Sequence, residues 1–283
     1  MAGPTDDTSV VADVEVSYLA SKQVGDEFKL FVARTAPDDP LPPQHVLVVT
    51  DAQLQYGAAV EMARLYRLEQ VPPLLVVGIG YRAKYFGETI ERRRRDLTPV
   101  PGEEGGGGAP AFLAFLADEL KPHLAERYRV AAADYTLFGN SLGGLFATWA
   151  LLTRPQVFGR YGIGSPSYWW GDRAILETEA AYAAAHDDLP ARVFIGIGAM
   201  ENPAGDLHAA KWLPEEKRAA AYAETEADTI DMVADVALMV SRLERRHYPS
   251  LELERRTHAD EYHATAQWLN LSWALRSLFD TAR

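Results

Sequence analysis

The stretch "FGNSLGG", residues 138–144, sets Ser141 between Gly139 and Gly143 and matches G-x-S-x-G. An apolar run, "YTLF", precedes it, and an amphipathic one, "GLFATWALLTRP", follows. Strand, sharp turn and helix in that order make the elbow that lifts a serine hydroxyl out of a sheet. The glycines have a steric reason there, because side chains two residues to either side of the serine would collide as strand and helix close together. The helix start also points free N–H groups and the positive end of its dipole at the oxygen that becomes charged in acyl transfer.

A serine hydroxyl is a weak nucleophile without a base to take its proton. In such an arrangement the chain order is serine, acid, histidine. Two of the seven histidines, His258 and His263, lie in "THADEYHATAQW", just past the last strand-like run. His263, at the start of the final helical segment, is the expected base, and His258 is its competitor. The acid is expected from "MENPAGDLH" (200–208), where Glu201 stands nearest the strand end and Asp206 is the reserve. A carboxylate there would orient the imidazole and stabilise its protonated form. An oxyanion hole needs two backbone N–H donors. One is expected from Leu142, and the other from "DAQ" (51–53), as Gln53 or, in reserve, Ala52.

These residues need a scaffold that brings them to one edge. "VVADVEVSYLA" (10–20) and "EFKLFVART" (27–35) alternate in part and predict an antiparallel pair. "HVLVVT" (45–50) and "LLVVGIGY" (74–81) are continuous apolar runs, as strands covered on both faces should be. Further strands are expected at 135–139, 161–165, 192–199 and 251–257. Helices are expected near 53–69, 109–128, 144–153, 217–247 and 264–280. The alternation predicts an α/β domain: a mostly parallel sheet with helices on both faces and an antiparallel pair at its start. One domain over 1–283 is expected, with small lid insertions near 171–190 and 202–216 and a mobile surface loop at the Gly-rich 101–110.

Composition narrows the function. A net charge of −12 argues against nucleic acid or an anionic membrane surface as a partner. The absence of cysteine excludes disulfides, thiolate metal sites and cysteine nucleophiles. No cofactor is implied, and the scattered histidines suggest no metal site. The opening residues lack a secretion signal, and no stretch reaches the roughly 20 apolar residues of a membrane helix. A cytoplasmic protein acting on a small molecule is expected.

With these motifs placed, the chain resembles the α/β-hydrolase "putative esterase" family, which includes bacterial esterases that open the trilactones of enterobactin and bacillibactin. The matching stretches are "VLVVTDAQ", "LLVVGIGY", "RDLTP", "AFLAFLADELKPHLAERYRV", "TLFGNSLGGLFATWALL", "GSPSYWW" and "EYHATAQWLNLSWALRSLF". They run in family order over roughly 45–280. The resemblance implies an α/β-hydrolase fold, Ser141 as nucleophile and His263 as base. The chain departs from the family at Asp51-Ala52-Gln53, where glycine is usual in the middle, so a methyl group could tilt the second oxyanion donor.

Substrate selection has two candidate elements. "ERRRRDLTP" could form a solvated face or an anion clamp, since guanidinium forks pair with carboxylate and phosphate. Siderophore esters are anionic, and Arg95, beside the family-like "DLTP", is the candidate there. Trp169 and Trp170 either wall an acyl or aromatic group or pack in the core. The expected reaction is ester hydrolysis through an acyl-enzyme. Acyl transfer or thioester cleavage is the alternative on the same fold, and a binding protein without turnover is the third reading.

Overall fold

The computed structural model describes residues 11–39, 45–102, 104–130, 134–227 and 230–280. Its strands are β1 (Glu15–Ala20), β2 (Glu27–Arg34), β3 (His45–Val49), β4 (Leu74–Tyr81), β5 (Pro101–Gly102), β6 (Gly105–Gly106), β7 (Asp134–Asn140), β8 (Arg160–Gly164), β9 (Ala191–Gly198) and β10 (Leu251–His258). Its helices are α1 (Ala52–Tyr66), α2 (Ile90–Leu97), α3 (Ala109–Ala114), α4 (Lys121–Tyr128), α5 (Leu142–Thr153), α6 (Trp170–Arg173), α7 (Ile175–Ala185), α8 (Pro203–Ala210), α9 (Glu215–Ala227), α10 (Met232–Arg246) and α11 (His263–Phe279).

Eight strands form one sheet in the order β1-β2-β4-β3-β7-β8-β9-β10. The pairs β1–β2 and β2–β4 are antiparallel, and every later pair is parallel. The apolar runs become strands because both sheet faces are covered: every residue of β4 is buried. Helices α1 and α11 seal one face, with Ala59 and Val60 meeting Leu271 and Leu275 in one core. On the other face Leu145 and Phe146 of α5 join Phe112, Phe115, Met239 and Leu243. Each fully buried side chain of this size contributes about 1.5–3 kcal/mol. The fold is that of the α/β-hydrolases.

Four expectations change. Residues 90–97, expected only as a charged run, form α2. The long helix expected over 217–247 is two helices, with Asp231 starting α10 by accepting from the Ala234 N–H at 2.8 Å. The Gly-rich 101–110 stretch folds back on itself as the β5–β6 ribbon and is clamped by Trp170. The Trp170 indole donates to the Val100 carbonyl at 2.8 Å, and a Cβ on Gly102 would come within 2.7 Å of its ring. Residues 171–190 supply α7, which lies in the helical layer rather than over the sheet edge. Ile175, Glu179 and Tyr182 are buried there, and Glu179 binds Arg246 and Arg242 of α10 at 2.8 and 3.2 Å.

One half-buried cation gives a measurable consequence. Lys121 lies over the rings of Tyr135 and Phe158 and donates to the Val157 carbonyl. Burial, with help from Arg154, pushes its ammonium down to about 8. Between pH 8 and the ordinary lysine value of about 10.4, the unfolded chain then holds a proton that the folded chain has lost. This group therefore adds stability as pH rises through that window. The stability of Lys121→Met relative to the wild-type protein, measured by urea unfolding, should fall between pH 7 and pH 10. An unchanged difference would contradict the assignment.

Candidate active site

Parallel pairing brings the strand ends level. Val49 of β3 lies opposite Phe138 of β7, Asn140 of β7 opposite Gly164 of β8, and Gly198 of β9 opposite His258 of β10. Helices α1 and α5 start within three residues of their strands, so their N-termini open side by side at this edge. The first-turn N–H groups of a helix have no intrahelical acceptor. Leu142 occupies that position in α5, and Ala52 and Gln53 occupy it in α1.

Ser141 sits between β7 and α5 at φ 61°, ψ −123°, a conformation costly for any residue with a Cβ. The flanking glycines permit it. A Cβ on Gly139 would stand 2.2 Å from the Gly143 carbonyl oxygen, and one on Gly143 would stand 2.4 Å from Thr50 Oγ1. The Ser141 hydroxyl is partly exposed and lies 3.3 Å from Ser167 Oγ, while its own N–H is used by the Gly164 carbonyl at 3.0 Å.

Two cross-loop bonds bring the acid and the histidine together. Ala199 N–H donates to the His258 carbonyl at 2.8 Å, and Met200 N–H to the Glu261 carbonyl at 3.0 Å. Glu201 is buried, and its Oε2 lies 2.6 Å from His263 Nδ1. Its Oε1 accepts from the Gly198 N–H at 2.7 Å and the Ser165 hydroxyl at 2.6 Å. Asp206, the reserve acid, is exposed on α8, away from this contact. His258, the competing base, is buried against Asn270 Oδ1 at 3.0 Å, and burial pushes its imidazole down.

Ser141 and His263 line one cavity of about 390 Å³, together with Asp51, Gln55, Phe86, Arg93 and Gln267. Arg93 holds Asp51 through two bonds of 2.9 Å and lies over the Phe86 ring, 5.3 Å from its centroid. Arg95 is turned elsewhere, bound to Asp96 at 2.7 Å and Asp26 at 3.0 Å. Residues two apart on a helix point about 200° apart, so only one of this arginine pair can face the cavity. Trp170 clamps the glycine ribbon, and Trp169 packs beside it; neither lines the cavity. The Ala52 methyl packs toward Gly78 of β4, where an added Cβ would meet it at 2.9 Å. The Gln53 side chain is spent on the Tyr81 backbone carbonyl at 2.7 Å, leaving only its N–H for the site. Sequence reasoning missed Arg93, Ser165, Ser167 and Asn270. The two serines stand in "GSPSYWW", where the tryptophans are the conspicuous residues.

A larger cavity of about 480 Å³ opens at the opposite strand ends. Its arginines are paired with their neighbours, Arg160 with Asp134 at 3.1 Å and Arg192 with Glu252 at 2.6 Å.

The family model described as "Putative esterase" matches residues 21–232. The chain belongs to this esterase family. Among curated relatives, the "Ferri-bacillibactin esterase BesA" of Bacillus subtilis is 30% identical over 220 residues, covering 70% of this chain and 74% of that protein. The "Siderophore triacetylfusarinine C esterase" of Aspergillus fumigatus is 32% identical over 222 residues, covering 73% and 70%. Among solved structures, the "BES protein from Bacillus cereus" superposes with TM-score 0.77 at 25% identity over 98% of this chain and 99% of that one. The "Siderophore hydrolase EstB from Aspergillus nidulans" shares the fold with TM-score 0.80 at 24% identity, over 96% of each chain. Family and relatives make this esterase a hydrolase. No helix among its described residues is long and apolar enough to cross a membrane.

The buried Arg93–Asp51 pair predicts a large structural cost for losing one partner. Arg93→Ala leaves the Asp51 carboxylate without its counter-charge and should lower stability by roughly 3–5 kcal/mol in urea unfolding. Gly139→Ala, which drives a methyl into backbone, should be more damaging than Gly143→Ala, which meets a side-chain hydroxyl. Equal melting temperatures for the two glycine variants would argue against the tight elbow.

Proposed function

We propose that this esterase is a serine carboxylic-ester hydrolase, with Ser141 as nucleophile, His263 as general base and acid, and Glu201 as the carboxylate that orients it. The observation that carries this is the 2.6 Å contact between His263 Nδ1 and Glu201 Oε2, with His263 and the positive-φ Ser141 on one cavity wall. With Nδ1 engaged by the carboxylate, Nε2 of the same ring is free to take the Ser141 proton. The hydroxyl oxygen attacks the ester carbonyl, whose electron pair moves to oxygen and is held by the N–H groups of Leu142 and of Gln53, with Ala52 in reserve. His263 returns the proton to the leaving alkoxide, and a water attacks the resulting acyl-enzyme by the reverse of these steps. No cofactor takes part.

The substrate in this proposal is a small-molecule ester or lactone of siderophore type. Its support is the activities that the two curated relatives are named for, together with a cavity that joins an aromatic ring, Phe86, to a cation, Arg93. Arg93 replaces Arg95 as the residue we assign to a polar or anionic substrate group. Trp169 and Trp170 act on the substrate, in this reading, only through the ribbon they support. Residues 202–216 remain the candidate cover, because His208 of α8 bonds the Tyr262 hydroxyl next to His263. We place the reaction in the cytoplasm.

A fluorophosphonate should add to Ser141, seen as a mass increment on the intact protein that Ser141→Ala abolishes. Ser141→Ala should lower kcat/KM for short p-nitrophenyl esters by about 10⁶-fold, and Glu201→Gln by about 10⁴-fold. An adduct that survives Ser141→Ala would overturn the nucleophile assignment. A catecholate trilactone should be hydrolysed with higher kcat/KM than these simple esters. Products dominated by acyl transfer to an added alcohol would favour the acyltransferase reading instead.

A further inference from the structure

The Glu201 oxygen that does not meet His263 is held as closely as the one that does, and its partner Ser165 is itself held. Ser165 is fully buried. Its hydroxyl proton points to Glu201 Oε1, so its lone pairs need a donor from elsewhere. Asn270 Nδ2 lies 2.9 Å away. That contact fixes which end of the Asn270 amide faces Ser165. The second Nδ2 hydrogen goes to Asn140 Oδ1 at 3.2 Å, and the amide oxygen faces His258 Nε2 at 3.0 Å. An amide oxygen only accepts, so His258 carries its proton on Nε2. The bonds therefore run one way: His258 to Asn270, Asn270 to Ser165, Ser165 to Glu201.

The sheet is cut to admit this chain. Asn270 comes from α11, the helix that His263 begins, and is fully buried. A Cβ on Gly196 of β9 would stand 2.2 Å from Asn270 Oδ1, and one on Gly164 of β8 would stand 2.5 Å from Asn140 Oδ1. The two N–H hydrogens and the oxygen of one side-chain amide are thus matched to three partners on three separate strand ends. A buried network satisfied throughout has one arrangement available to it, which is what a rotationally soft carboxylate requires.

We propose that Asn270 is a positioning residue: through Ser165 it sets the rotation of the Glu201 carboxylate, and through Asn140 it ties that rotation to the strand end that carries Ser141. His258 is the terminal donor that fixes the amide. This role rests on the proposed triad. Losing the Ser165 bond leaves Oε1 of Glu201 held by the Gly198 N–H alone, so the carboxylate turns more readily about its last torsion and His263 is less often aligned while the substrate cavity stays intact.

The test uses Ser165→Ala and the near-isosteric Asn270→Leu in the full chain, checked for folding by circular dichroism. On p-nitrophenyl acetate each should lose about 10–100-fold in kcat with KM within about twofold of wild type, the scale of loss usual for outer partners of an active-site group. The downfield proton resonance of the His263 Nδ1–H should shift or broaden in both. A role in stability alone would lower the melting temperature and leave kcat and that resonance unchanged in the folded protein. Such a result in Ser165→Ala, which removes one hydroxyl, overturns the proposal even if Asn270→Leu fails to fold. Wild-type protein that neither turns over ester nor reacts with fluorophosphonate would instead remove the triad reading, and the positioning role with it. Active wild type beside fully active variants would sink the positioning role alone.

Discussion

Everything at the candidate site follows from the parallel register of β7, β8, β9 and β10. Parallel neighbours end at the same edge of the sheet, so residues just beyond Asn140, Gly164, Gly198 and His258 are delivered to one place from four distant parts of the chain. Ser141, Ser165, Glu201 and His263 all stand within five residues of those ends. An antiparallel strand in this run would send one of them to the far side. The antiparallel pairs are confined to β1–β2 and β2–β4, beyond the part of the sheet that carries these residues.

The register needs both faces covered, and the covering helices also open onto the site. α5 and α1 pack their apolar faces on opposite sides of the sheet, yet both begin at the same edge because β3 and β7 are neighbours. Two helix starts thereby point unused N–H groups toward the same small volume. Both turns into these helices hold a residue at positive φ: Ser141 at 61° and Asp51 at 51°. Strain at such points survives only where surrounding contacts determine the structure several times over. The Arg93 fork on Asp51 and the glycine contacts around Ser141 provide them.

Several polar side chains at this edge are buried and paired. Asp51 has Arg93, Glu201 has three donors, and Asn270 uses both its hydrogens and its oxygen. Each unpaired buried polar group would cost about 1–3 kcal/mol, so such a site tolerates little improvisation. The glycines of β8 and β9 belong to the same solution, since they open the space that Asn270 and Asn140 fill.

Local patterns in the sequence determined a great deal. The continuous apolar runs marked the strands because a doubly covered sheet leaves no polar face to alternate with. The serine stood out because an elbow cannot form without small residues at fixed offsets, and chain order pointed to Glu201 and His263, which lie in contact in the fold. What the tertiary structure decided was which of several similar residues faces inward. Arg93 rather than Arg95 meets the cavity because α2 presents one side to Asp51. Trp170 clamps a ribbon rather than walling the cavity because glycines elsewhere make room for its ring. His258 became a donor in a buried network and His263 the partner of Glu201 because cross-loop hydrogen bonds set the distances. Types and spacings along the chain encode elements, whereas orientation is set by neighbours far away in the chain, and no one-dimensional pattern records it.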